Sequence, residues 1–158
     1  MQAISPFLWF DDQAEHAAEF YVSIFDNSEV MHVSRYPEGS HYPAGTAMSV
    51  SFVLDGLEFQ ALNAGPQFHF SEAISFFVSA ETQERIDYLW NALLEGGGTE
   101  SQCGWLKDRY GLSWQIVPPA LGELMGDSDP EKASRTMQAM LAMRKIVIAD
   151  LQRAHDGE

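Results

Sequence analysis

The chain repeats itself, and the repeat restricts it to folds that can be assembled twice from one small unit. At a displacement of 70 positions, Ala3-Ile4-Ser5-Pro6-Phe7-Leu8 falls against Ala73-Ile74-Ser75-Phe76-Phe77-Val78, and Gln13 falls against Gln83. Phe20-Tyr21 then lies opposite Trp90. A second match, displaced by 55, sets Gly56-Leu57-Glu58-Phe59-Gln60 against Gly111-Leu112-Ser113-Trp114-Gln115. The smaller displacement at the far end means that the second copy has a shorter middle.

Local signals give each copy the order βαβββ. In the first, the apolar, aromatic run Ile4 to Phe10 reads as a buried strand. Asp11 and Asp12 are candidate helix caps, and Ala14, Ala17, Ala18, Tyr21 and Phe25 recur at helical spacing. Glu29 to Tyr36 reads as a strand and Pro37 to Gly45 as a loop. Ala47 to Leu54 and Leu57 to Leu62 flank Asp55-Gly56, a hairpin turn whose residues tolerate positive φ. In the second copy Ala73 to Ala80 is the first strand and Thr82 the helix cap. Ile86, Leu89, Trp90, Leu93 and Leu94 form the helix's inward face, and Gly96-Gly97-Gly98 ends it. Those glycines follow a helix and do not connect a strand to one, so they do not read as a phosphate cradle. The last hairpin runs from about Gln102 to Leu106 and from Leu112 to Val117, ending at Pro118-Pro119.

The tail from Ala120 to Glu158 reads as helical. Asp129-Pro130 is a cap followed by proline at the first helical position, and Met137, Met140, Leu141 and Met143 make an apolar stripe suited to core or dimer contact. The domain expectation is one structural domain with a first module at 1–66, a second at 67–119 and a helical extension at 120–158.

Composition excludes several partner classes. With 23 acidic and 9 basic residues, the 158-residue chain carries a formal charge of −14. That charge opposes nucleic acid and anionic membrane surfaces, which draw on clustered Lys and Arg. No run of apolar residues is long enough to span a bilayer, and the N-terminus lacks a basic leader. The single cysteine, Cys103, allows no internal disulfide and suits a reducing compartment, so a cytoplasmic location is expected.

The stretches Ser5-Pro6-Phe7-Leu8-Trp9-Phe10, Ala17-Ala18-Glu19-Phe20-Tyr21 and Ala73-Ile74-Ser75-Phe76 stand beside the long run Cys103 to Pro118 and the tail segment Ala139 to Ile146. Carried on two βαβββ modules, they resemble the vicinal oxygen chelate (glyoxalase/bleomycin-resistance) superfamily. Within it the likeness is to the PhnB-like group, catalogued as 3-demethylubiquinone-9 3-methyltransferase. The resemblance implies an α+β fold of two tandem βαβββ modules forming a curved mixed sheet around a cleft, with the helices outside. It also implies a homodimer.

Glyoxalase-type relatives hold a divalent metal with four inward ligands, commonly His or Glu. Matched strand by strand, those positions are Ser5, Gln60, Ser75 and Gln115. Neutral hydroxyls and amides are poor ligands for zinc, nickel or iron, so no metal is expected there. The four side chains either hydrogen-bond one another across the module interface or face a small ligand. Strand alternation adds Phe7, Trp9, Phe77 and Ser79 to the same side, and aromatic walls with a few polar groups suit a small molecule. Cys103 reads as a reactive thiol near Lys107 and Arg109 or as a small buried hydrophobe. Lys107, Asp108 and Arg109 read as a solvated turn. Of the histidines, His16 is expected on an exposed helix side, His41 and His69 on loops, and His155 in a frayed tail; with His32, they show no metal spacing.

No cofactor is expected: a glycine-rich strand-to-helix loop followed by an acidic residue, as used by doubly wound methyltransferases, is missing. Two functions follow. One is an enzyme acting on a small metabolite without the superfamily's metal. The other is a sequestering protein of the bleomycin-resistance type, whose acidic charge favours a neutral or cationic ligand.

Overall fold

The computed structural model describes residues 2–158 in two compact units, the first ending at Phe70 and the second covering Ser71–Glu158. In the first unit the elements are β1 (Phe7–Phe10), α1 (Ala14–Ile24), β2 (Glu29–Arg35), β3 (Ala47–Leu54) and β4 (Leu57–Asn63). They form one four-stranded sheet in the order β1-β4-β3-β2, with β1 parallel to β4 and the other pairs antiparallel. The Asp55-Gly56 turn is as expected, both residues having positive φ. One face of α1 is small: Ala14, Ala17 and Ala18 are fully buried, which lets the helix approach the sheet. Tyr21 then stacks on Phe52 at 6.3 Å between ring centroids, and Phe52 on Phe59 at 5.3 Å.

Two local expectations fail here for physical reasons. β1 begins at Phe7, not Ile4, because Pro6 has no N–H to give to a ladder; its carbonyl accepts from the Gln60 N–H at 2.9 Å and the pairing starts beyond it. Asp11 and Asp12 do not cap α1 either. The N-cap is Gln13, which makes no side-chain cap bond. Instead, the Ala14 N–H donates to Oδ1 of buried Asn63 at 2.8 Å, while Asn63 Nδ2 donates to the Ala47 carbonyl at 3.0 Å. A side chain from the last strand therefore caps the helix and pins β3.

The second unit repeats the plan with β5 (Ser75–Ser79), α2 (Gln83–Leu94), β6 (Thr99–Glu100), β7 (Trp105–Lys107) and β8 (Ser113–Val117), in sheet order β5-β8-β7-β6. Thr82 caps α2, its hydroxyl accepting from the Arg85 N–H at 3.1 Å. Ile86, Leu89, Trp90 and Leu93 are buried, and Trp90 Nε1 donates to Glu100 on β6 at 3.0 Å. Gly96 takes a left-handed φ of +83° just after the helix. The shorter middle foreseen from the two displacements lies in β6 and β7, which are shorter than β2 and β3, and in the link 101–104, which replaces the longer 36–46.

Three further helices, α3 (Pro119–Met125), α4 (Pro130–Leu141) and α5 (Ile148–Asp156), belong to the second unit. Their core is Ile146, Leu151 and Leu121 packed against Val117 at the end of β8, with Met140 and Met143 beside it. The other half of the methionine stripe, Met137 and Leu141, is exposed. Gln83 clamps the extension at two points: its Nε2 donates to the Ile146 carbonyl at 3.0 Å, and its Oε1 accepts from the Ile148 N–H at 2.8 Å. Backbone bonds from Cys103 to Met143 and from Gly104 to Arg144, both 2.8 Å, tie it to the turn before β7.

His155, expected in a frayed tail, is only 7% exposed. Its Nε2 lies 2.9 Å from Asp127 and its Nδ1 3.0 Å from Asp156, and Arg135 donates to the carbonyls of Ala154 and His155. The end of α5 is thus held by side chains from α4 and from the turn before it.

Bonding to Asp156 and then Asp127 raises the His155 pKa above its ordinary 6.5. The Asp129 N–H and then His155 lower that of Asp127; His155 and then Gln152 lower that of Asp156. The imidazolium's contribution is fully present below about 6.5 and is lost as pH rises through the raised value. The carboxylates' contribution is present above about 3.8 and is lost as pH falls through their lowered values. Amide exchange of α5 is therefore expected to be slowest, relative to that of α2, between roughly pH 4 and 6.5. A His155→Gln variant should lose the alkaline limb of that profile; an unchanged profile would refute the latch.

Candidate functional site

Strand alternation divides each sheet into a face packed on α1 or α2 and an opposite, uncovered face, which in the second unit the extension meets at Val117, the end of β8. In the first unit Leu8, Phe10, Val50, Phe52, Phe59 and Ala61 are buried on the helix side. The pairing sets Phe7 opposite Gln60, Gln60 opposite Ser51, and Ser51 opposite His32, so these four make one row across the other face. The next row is Trp9, Leu62, Ser49 and Ser34, closed by a 2.6 Å bond between the two serine hydroxyls. Phe7 is 58% exposed, a large aromatic surface left open on a sheet. Trp9 is held: its Nε1 donates to the Gly65 carbonyl at 2.9 Å, and Phe68 meets it edge-on at 4.9 Å.

In the second unit the equivalent row is Phe77, Gln115 and Trp105, and Phe77 is 62% exposed. Beside it runs Ser75, Ser113, Lys107 and Thr99. Gln115 Nε2 donates to the Ser75 hydroxyl at 2.9 Å, so the hydroxyl–amide pair is bonded inside one unit, between β5 and β8. Ser5 has a different partner. It lies before β1 and accepts from Gln2 Nε2 at 3.2 Å, while Gln60 is exposed. Cys103 is half-buried in the turn before β7 at a φ of +59°, its N–H donated to the extension.

The expected solvated turn at Lys107, Asp108 and Arg109 needs correcting at its centre. Asp108 is buried, and its carboxylate accepts from the N–H groups of Tyr110 and Leu112 at 2.8 and 3.1 Å and from Trp114 Nε1 at 2.9 Å. Asp at the first position of a turn with Gly111 at the fourth was the available signal, and the Gly111 N–H does donate to the Asp108 carbonyl at 2.9 Å. Lys107 pairs with Glu72, and Arg109 Nε donates to the Glu95 carbonyl at 3.0 Å. Among the described residues no group of three or more His, Cys, Asp or Glu side chains is placed to hold a metal ion.

A family model described as 3-demethylubiquinone-9 3-methyltransferase matches residues 2–117, which contain both sheets and both uncovered faces. The chain belongs to that family. Through it the chain belongs to the vicinal oxygen chelate superfamily. Among solved structures it is similar to the PhnB protein of Bacillus cereus, at 36% identity and a TM-score of 0.69, over 74% of this chain and 99% of that one. Two more distant likenesses show the fold alone. Protein PA1353 of Pseudomonas aeruginosa is 19% identical with a TM-score of 0.62, over 75% of this chain and 98% of that one. FosX of Listeria monocytogenes, a fosfomycin resistance protein, is 13% identical with a TM-score of 0.52, over 78% and 97%. No curated protein matches the chain.

The family match ends where α3 begins, so the helical extension lies outside it. Neither group that the family implies fits the residues present. At the four positions expected for the superfamily's metal, Ser5, Gln60, Ser75 and Gln115, stand two hydroxyls and two amides, one of each already bonded to the other, and none brings negative charge or an imidazole. For S-adenosylmethionine, the glycine run at 96–98 leads from α2 into β6, the reverse of a cofactor-cradling strand-to-helix turn.

Asp108 should be the most sensitive polar residue of the second unit. Asp108→Ala strands the Leu112 N–H and the Trp114 indole in a buried setting, for an expected loss of about 3 kcal/mol in urea unfolding. A loss near zero would show that the turn holds without it.

Proposed function

We propose that this PhnB-like protein binds a small organic molecule on the uncovered sheet faces, through aromatic side chains and amides and without a resident metal. The observation that carries the reading is the repeated pair: Phe7 opposite Gln60 and Phe77 opposite Gln115, each with its phenylalanine more than half exposed. Burying such rings against a ligand is favourable, and the neighbouring amide supplies direction. Among the described residues, no hydroxyl on these rows bonds to an imidazole or a carboxylate, the arrangement that activates a nucleophile. Sequestration of the ligand therefore suits these faces better than covalent catalysis, and better than the methyl transfer in the family's description. The same reading takes the chain to be a cytoplasmic homodimer, on the lone Cys103 and on the superfamily's habit of pairing.

Trp9 and Trp105 lie on the uncovered faces, whereas Trp90 of α2 and Trp114 of β8 are buried, so changes in indole emission report on the site. A metabolite screened by thermal shift should raise the melting temperature and change that emission, and Phe77→Ala or Gln60→Ala should weaken it about tenfold, some 1.4 kcal/mol. A chelator should alter neither signal. Stoichiometric metal in the purified protein, lost on Gln60→Ala or Gln115→Ala, would overturn the reading.

A further inference from the structure

Ser113 is only 1% exposed, and its hydroxyl has no hydrogen-bond partner among the described residues. A buried hydroxyl without a partner calls for an explanation, because burial removes the water it would otherwise bond. Its neighbours supply one. The pairing places Ser113 between Ser75 and Lys107 on the uncovered face of the second sheet, and side chains opposed in this way have Cβ atoms about 5 Å apart. Both neighbours already have partners. Ser75 accepts from Gln115, and the Lys107 ammonium is paired with Glu72, a carboxylate from the same unit with much of its side chain in solvent. The row thus offers a free hydroxyl, a cation, and a carboxylate already seated on that cation.

One step along the strands, about 7 Å away, lies the aromatic row Phe77, Gln115 and Trp105. A polar row and an aromatic row at that spacing make one amphipathic surface. We infer that the Ser113–Lys107 row binds the anionic oxygens of an aryl-substituted carboxylic acid whose ring lies on Phe77 and Trp105, Glu72 holding the place of the ligand's carboxylate on Lys107. This rests on the small-molecule reading of the same face and adds a ligand class to it.

The chain's formal charge of −14 opposes an anion at long range. Screening limits that effect to about 8 Å at physiological salt, so the lysine in the row outweighs distant carboxylates. The local competitor is Glu72, and an ion pair exposed to this extent holds weakly. Binding exchanges one carboxylate for another on Lys107 and gives the Ser113 hydroxyl an acceptor. Because Ser113 is buried, binding at its hydroxyl includes a shift of the side chains beside it, and the part-exposed Lys107 has room to move off Glu72.

The test is a calorimetric titration with 3-phenylpropanoate and, separately, with its uncharged amide, 3-phenylpropanamide. The acid should bind at least about tenfold more tightly than the amide. Lys107→Met should remove that preference without changing affinity for the amide. Ser113→Ala should weaken the acid about fivefold while melting at or above the wild-type temperature, since it deletes an unsatisfied hydroxyl. Glu72→Gln should strengthen the acid by removing its competitor. Equal binding of acid and amide, or an acid affinity unmoved by Lys107→Met or by Ser113→Ala, would overturn the anion row and leave the aromatic-face reading standing. Binding of neither compound would also overturn the inference, and a hit from the wider metabolite screen would show the aromatic face intact in that event.

Discussion

Parallel strands cannot be joined by a tight turn, and in both units the first strand pairs in parallel with the last, β1 with β4 and β5 with β8. The chain between them has to leave the sheet and return. It leaves through α1 or α2, which shields one face, and returns through the antiparallel strands that fill the rest of the sheet. The aromatic–amide pairs of the proposed site follow from that pairing. It sets Phe7 beside Gln60 and Phe77 beside Gln115, and, because side chains alternate, it decides that those residues point away from the helix.

The two displacements visible in the sequence meet in this register. Phe7 plus 70 is Phe77, Gln60 plus 55 is Gln115, and the structure pairs the first member with the second in each unit. The match of Gly56 to Gly111 has an equally simple cause, since both occupy turn positions with φ near +80° or above. The helix faces were legible for the same kind of reason: their burial is periodic, and period is written in the order of the residues. The uncovered faces were legible as far as alternation reaches. Failures came where a distant side chain did the work of a local one. Asn63 caps α1 from the other end of the unit, and no inspection of Asp11 and Asp12 reveals it. His155 is buried by partners 28 residues away in Asp127 and 20 away in Arg135, so its place near the C-terminus misleads. Asp108 was misread because charge is a poor guide to exposure in a turn whose amides and indole need an acceptor.

The helical extension uses the repeat without continuing it. Gln13 and Gln83 are equivalent positions, yet only Gln83 is bound to a following chain, accepting from Ile148 and donating to the Ile146 carbonyl. Val117, at the end of the last strand, has become the floor of a core shared with Leu121, Ile146 and Leu151. The turn that leads into β7 is fixed by the same segment, through the N–H groups of Cys103 and Gly104. Trp105 follows that turn directly, so the extension helps set the position of an aromatic side chain on the uncovered face, whose far end it closes at Val117.

What distinguishes the two faces is carried by positions that the duplication did not keep alike. The Phe–Gln pair recurs because it belongs to the parallel pairing. Around it, Trp9 corresponds to Ser79, and Glu58 corresponds to Ser113. In the first unit Gln2 ties down this edge, donating to the Glu58 carbonyl and accepting from its N–H, as well as donating to the Ser5 hydroxyl. In the second, Gln115 takes Ser75, and among the described residues Ser113, beside Lys107, keeps an unused hydroxyl. A fold built twice from one plan thus leaves, among the described residues, a buried hydroxyl without a partner on one sheet and none on the other. Ligand preference is expected to follow the second unit, because there binding gives a buried hydroxyl the hydrogen bond that folding left unmade.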